Sequence, residues 1–316
     1  MNDYSNLPDF DSLPKVKDMP QGCAWGIFDK DGKKDHIGCL NLVTPEIVKA
    51  AVSEVKDGLS VSLNWPVGAI NTPGFGRKGL VHHIDSFQDG PLPLHGFDDE
   101  LEFNTQCSSQ WDSLVHYAHQ PTGLSYNGAK PTKESLQQKF GEEDKEKTLP
   151  TLNHWHERGG LVARGVLLDY RAYAEAKGIE YNCFEQHAIT VKDLEDIAAH
   201  QGTTFKQGDV LIVRSGFTED LNGLDAQEQD KKLGSHCAVG VEGNEAAAKW
   251  FWNKHFSAVA GDTIGFEVLP PKRADRSTAK IDELGKLSHT STIHCHTKLF
   301  SSAASMVSWA VRALYR

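Results

Sequence analysis

Apolar residues three and four apart follow Thr44-Pro45: Ile47, Val48, Ala51, Val52 and Val55 define one face of an expected helix. Thr44 is placed to cap that helix, Pro45 suits its first position, and Gly58 stands beyond its end. The period then changes to two over Leu59-Ser-Val-Ser-Leu63, the pattern of a half-buried strand feeding Asn64-Trp65-Pro66. Further helices are expected over 152–158, closed by Gly159-Gly160, and over 170–177, closed by Gly178. Thr190 and Asp193 outline a capping box ahead of Leu194, Ile197 and Ala198, with Gly202 as the stop. A last helix is expected over 243–255, with Ala246, Ala247, Trp250 and Phe251 turned inward. Near-continuous apolar runs at 162–168, 208–214 and 257–260 have the look of strands, the second covered on both faces of a sheet. A shorter strand and turn are expected at 25–32, where Asp31-Gly32 marks the turn.

Strands and helices therefore alternate, which predicts one α/β domain with a mixed sheet, spanning 21–316 behind an N-terminal arm of residues 1–20. Between 66 and 96 the pattern lapses into a region rich in Gly, Pro and His, including Thr72-Pro-Gly-Phe-Gly-Arg77 and His82-His83. Its length suits a lid over a site, and of two adjacent histidines in an extended chain only one can face it. The charge run 142–147 reads as a solvated surface segment.

Composition narrows the function. With 39% hydrophobic residues and a net charge of −10, the chain is an ordinary globular sequence whose acidity disfavours nucleic acid and anionic membranes as partners. No apolar run approaches the roughly 20 residues that span a bilayer, and residues 1–20 carry no leader-like apolar core. The six cysteines have no paired short spacing, so reduced thiols and a cytoplasmic location are expected, with Cys107 as a buried small apolar residue.

The densest chemistry lies in Phe103-Asn-Thr-Gln-Cys-Ser-Ser-Gln-Trp-Asp-Ser-Leu-Val-His116. If extended, this stretch sets Gln106, Ser108, Gln110 and Asp112 on one face, with His116 just beyond as a candidate general base. The spacing alone equally fits a polar edge strand ending in a turn. His119, His154 and His156 read as core or surface residues, and Trp25, Trp65 and Trp111 as either core or the walls of an aromatic pocket.

Residues 106–116 resemble the signature of the cyclase family of metal-dependent hydrolases, which includes kynurenine formamidases and isatin hydrolases and reads His-x-Gly-Thr-His-x-Asp-x-Pro-x-His. Asp112 and His116 match it, while Gln106 and Gln110 stand where the family has metal-binding histidines, as in a branch with Gln-Trp-Asp at this point. The likeness runs from about Trp25 to Pro271. It implies a swivelling β/β/α fold, an oligomer of identical chains, a small-molecule substrate, and hydrolysis of an amide or lactone bond in an aromatic or polyketide-like compound, arylformamidase activity being the nearest specific case. It further implies a divalent metal, Mn or Zn, held by Asp112 with Gln110, Gln106 and His294, His116 as base, and Trp25, Trp65 and Ser109 against the substrate. The family's late glutamate has no counterpart, since no acidic residue occurs from Ser301 onward, and residues 287–316 depart from the pattern. A catalytically inactive relative that binds a small molecule or a partner through the same pocket is the alternative.

Overall fold

The computed structural model describes residues 4, 6–91, 94–137, 149–271 and the backbone of 302–304. In chain order the strands are β1 (Val81–Ser86), β2 (Phe97–Glu102), β3 (Gln110–Trp111), β4 (Gly165–Asp169), β5 (Ala188–Ile189), β6 (Val210–Arg214), β7 (Gly240–Val241), β8 (Ala258–Gly261) and β9 (Ser302–Ala304). The helices are α1 (Pro45–Val52), α2 (Lys133–Leu136), α3 (Asn153–Glu157), α4 (Tyr170–Lys177), α5 (Val191–Gln201), α6 (Phe217–Asn222), α7 (Ala226–Leu233) and α8 (Glu245–Asn253). This is the mixed α/β architecture expected.

A five-stranded sheet in the order β3-β9-β8-β6-β4 forms its centre. β4, β6, β8 and β9 run parallel, and β3 pairs antiparallel with β9, Gln110 opposite Ala304. The central strands are short apolar runs because both faces are covered: every residue of β8 is buried, as are Val210, Leu211 and Val213 of β6. Helices α4 and α5 follow local chemistry. Thr190 and Asp193 close a reciprocal capping box at the start of α5, and Gly178 and Gly202 end α4 and α5 in the left-handed conformation that glycine adopts without a Cβ penalty. In α8, Ala247, Trp250 and Phe251 face the core as expected, joined by Ala248 and Trp252, whereas Ala246 is exposed. The N-terminal arm is pinned beneath α8: Phe10 is fully buried, its N–H donates to Asn253 Oδ1 at 2.9 Å, and the Trp252 indole donates to Pro8 O at 2.8 Å.

Four local expectations fail. Residues 25–32 form turns and not a strand, with a single bridge between Lys30 and Lys33. Residues 59–63 are not a strand, and Leu59 is exposed, because their alternation finds no partner ladder. The apolar face of α1 stays largely open: Thr44 caps it through the Ile47 N–H, yet Val52 and Val55 face solvent. Conversely, residues 81–86 are not loop but pair with 97–102 in an antiparallel hairpin that stands off the body, with nearly every residue exposed. His82 and His83 lie on opposite faces of that hairpin, and His82 pairs with Asp99 at 3.2 Å.

Candidate active site

The signature does not form one extended strand. Asn104 Oδ1 accepts the Gln106 N–H at 3.0 Å and turns residues Thr105–Cys107 into a 3-10 helix; only Gln110–Trp111 then joins the sheet. Gln106, Ser108, Gln110 and Asp112 therefore do not share a strand face. The cause is local, since a side-chain acceptor at Asn104 competes with the ladder for the backbone donor.

The two serines secure the neighbouring loop. Ser108 Oγ donates to Trp65 O at 2.7 Å, and the Trp65 N–H donates to Ser109 Oγ at 2.9 Å. The Trp65 indole N–H reaches Asn222 Oδ1 at 3.1 Å, and its ring is buried in the core. Ser109 and Trp65 are thus brought together as a clamp that fixes where residues 66–80 begin. Ile70 N–H to Cys107 O and Asn104 N–H to Lys78 O, both at 3.1 Å, hold that loop against the signature. Cys107 is fully buried beneath it, as expected.

Between loop and signature lies a small cavity of about 20 Å³, beyond the C-terminal end of β8. Gln106 and Ser108 line one side, Phe75 and Arg77 the other, and Ile70, Leu233 and Ile264 supply apolar floor. Phe75 stacks on His236 with ring centroids 4.3 Å apart, and the Arg77 guanidinium sits 5.0 Å from the centre of the Phe75 ring. Phe75 and His236 both hold positive φ, at 66° and 54°, a rare conformation for side chains of this size. Sequence reasoning missed Arg77; its only signal was membership of the Gly- and Pro-rich run 72–77.

Asp112 and His116 do come together: Asp112 Oδ1 lies 3.7 Å from His116 Nδ1, the carboxylate mostly covered and the imidazole half exposed. Arg77 links this pair to the cavity electrostatically. Burial pulls its guanidinium below the ordinary arginine value, and the negative charge of Asp112 opposes that shift. Next to His116, burial and the nearby charge of Glu267 raise the Tyr117 phenol. Trp111 packs on Trp155 at 5.7 Å. Trp25 packs against the core beside Gly128, in a loop network held by Asn127, and is not among the residues lining the cavity. His119 is buried, with Nδ1 2.9 Å from Thr122 Oγ1, and His154 stacks on His36. His294 lies outside the described residues.

A divalent ion needs several charged or imidazole ligands converging. Among the described residues no group of three His, Cys, Asp or Glu side chains converges. Asp112 and His116 offer one carboxylate and one imidazole, Gln106 and Gln110 bring only neutral amides, and Arg77 places a positive charge in reach of the carboxylate. These residues do not by themselves fit Mn or Zn.

Comparison with known proteins agrees with the fold. The family model described as Cyclase matches residues 44–268, more than two thirds of the chain. The protein belongs to the cyclase family. A crystal structure described as a novel cyclase is similar at 22% identity and a TM-score of 0.68, covering 92% of this chain and 87% of that one. An isatin hydrolase bound to the product analogue thioisatinate is more distant, at 12% identity, 84% and 86% coverage and a TM-score of 0.47. Isatin hydrolase A from Ralstonia solanacearum stands at 13%, 83%, 85% and 0.45 in the same order. No curated protein matches.

Proposed function

We propose that this chain hydrolyses an amide or lactone bond in a small aromatic or polyketide-like molecule, with His116 as general base and Asp112 as the group that orients and polarises it. The observation that carries the reading is the Asp112–His116 pair at 3.7 Å, with the imidazole half exposed, in a member of the cyclase family. A carboxylate facing Nδ1 favours a proton there, which leaves Nε2 free to accept one from water. The water oxygen then attacks the carbonyl carbon, and the imidazolium returns its proton to the departing nitrogen or oxygen. The pair is longer than a hydrogen bond in the free chain, and such contacts commonly tighten when substrate binds. Gln106, lining the cavity, offers an amide N–H to the carbonyl oxygen.

A second reading, a relative that binds a small molecule without turning it over, is favoured by the donor set, in which neutral amides occupy two of the four candidate ligand positions. Turnover of a panel of aryl formamides and aromatic lactones separates the two. The first reading expects activity reduced about 10²- to 10⁴-fold in His116→Ala and substantially in Asp112→Asn. Activity unchanged in both variants would overturn it. The same assays run after dialysis against EDTA, and after Mn or Zn is added back, report whether a metal takes part.

A further inference from the structure

The hairpin of β1 and β2 projects from the body with its two faces sorted by chemistry. The register sets His82 opposite Leu101, Ile84 opposite Asp99 and Ser86 opposite Phe97, and side chains so paired share a face. On that face Phe97 is 73% exposed, Ile84 60% and Leu101 47%, while Asp99 is matched by His82 at 3.2 Å. Asp85, Asp98 and Glu100 stand on the other face. At the turn end the chain between the strands borders an open groove of about 830 Å³, to which Leu94 and Ile84 add apolar surface. Single exposed apolar residues are ordinary, but several together on one projecting element mark an interaction surface. The ribbon also lacks neighbours: neither strand pairs with a third among the described residues, and two strands alone are marginally stable in water.

Charge selects the partner. Five carboxylates, Asp85, Asp89, Asp98, Asp99 and Glu100, border the groove, and no lysine or arginine does. Asp85 stands directly opposite Asp98 in the ladder, an arrangement unfavourable for like charges that a cation laid beside them relieves. No three His, Cys, Asp or Glu side chains converge among the described residues, so a row of cations suits these carboxylates and a single metal ion does not. A second copy meeting this ribbon about a two-fold axis would set acid against acid. Charge on an edge strand commonly guards it against chance pairing, yet a guarded edge has no need of three exposed apolar side chains on one face.

We propose that the β1–β2 hairpin is a docking surface for an extended segment of another protein in which basic and apolar residues alternate. Such a segment lies along the ribbon as a further strand. Its alternation puts the apolar side chains on the face of Ile84, Phe97 and Leu101 and the lysines or arginines on the face of Asp85, Asp98 and Glu100. The inference is independent of the hydrolase reading.

The probe is a fluorescein-labelled Lys-Val-Lys-Val-Lys-Val peptide, as long as β1, titrated by anisotropy against the full chain at low salt. Beside it run Lys-Ser-Lys-Ser-Lys-Ser, of equal charge, and Glu-Val-Glu-Val-Glu-Val. The first binds at least about tenfold more tightly than the second, and the third does not bind. Asp85→Asn combined with Asp98→Asn weakens the first about three- to tenfold, and Ile84→Ser weakens it about tenfold. These positions are exposed and the paired change removes an unfavourable contact, so an unchanged urea midpoint separates lost binding from lost folding. Equal binding of the valine and serine peptides, or full affinity in both variants, overturns the proposal. So does a dimer in sedimentation that Ile84→Ser disperses, which gives the face to a second copy.

Discussion

The charge pair at the ends of β4 and β6 gives the sharpest test of how the scaffold under the cavity is held. Asp169 is 1% exposed and Arg214 8%, and Arg214 Nη1 donates to both Asp169 oxygens, at 2.9 and 3.0 Å. Asp169 Oδ1 also accepts the Ala172 N–H at 3.0 Å, capping α4. Arg214 also binds Glu219 and feels the charge of the buried Asp262, and its Nε is buried without a hydrogen-bond partner among the described residues. Asp169→Asn keeps a cap acceptor but removes the charge, at a cost of about 1.5–3 kcal/mol. Asp169→Ala also removes the cap and strands the guanidinium, at about 3–5 kcal/mol for the broken pair and about 1 more for the cap. At about 0.7 kcal/mol per degree for a chain of this length, Asp169→Ala lowers Tm by about 6–9 °C. The diagnostic variant is Asp169→Asn with Arg214→Met, which removes both charges and keeps the cap. It should lose less than the sum of the two single losses, because neither member of the pair is left facing a vacated partner, although Glu219 and the buried Asp262 then lose the Arg214 charge. Urea unfolding followed by circular dichroism measures these three and Arg214→Met alone. A double variant that loses the full sum of the two single losses would refute the reasoning.

Other expectations follow from contacts already described. Burial pushes the imidazoles of His36, His119 and His255 below the usual histidine value. The unfolded chain therefore takes up protons near pH 6.5 while the folded chain does so only at lower pH, and stability falls as the pH drops below about 6.5. Urea midpoints between pH 7.5 and 6.0 check the sign, and a midpoint that rises on acidification contradicts it. Ser109→Ala strands the Trp65 N–H and is expected to cost about 1–3 kcal/mol, read as a lower urea midpoint; an unchanged midpoint contradicts the clamp.

Much of the α/β scaffold was legible because the signals that build it are local. Thr190 and Asp193 sit three apart and cap one helix whatever surrounds them, and 210–214 is apolar enough to require cover on both faces. The hairpin of β1 and β2 was not legible because its strands bury nothing. Residues such as His83 and Glu100 are held by cross-strand pairing, which leaves no apolar period in the sequence. Leu59, Val61 and Leu63 show the converse, a correct period with no partner strand. At the site, Asp112 and His116 were legible one by one through the family signature, while their pairing came from the fold. The common face assigned to Gln106 and Gln110 was undone by one amide, Asn104. Arg77 could not be read from its own segment, because its meaning depends on a loop laid across residues some thirty positions away.

The place of β9 has a consequence for the order in which the molecule is assembled. Among the described residues, the strand carrying Gln110 and Trp111 meets the parallel sheet through residues 302–304, so its docking closes a loop of nearly two hundred residues. β4, β6 and β8 can zip together as soon as residue 261 has left the ribosome. A nascent chain halted before residue 302 is thus expected to carry its helices and three sheet strands, while Gln110 and Trp111, though held near the body through the Trp65 clamp, still lack their place in the sheet.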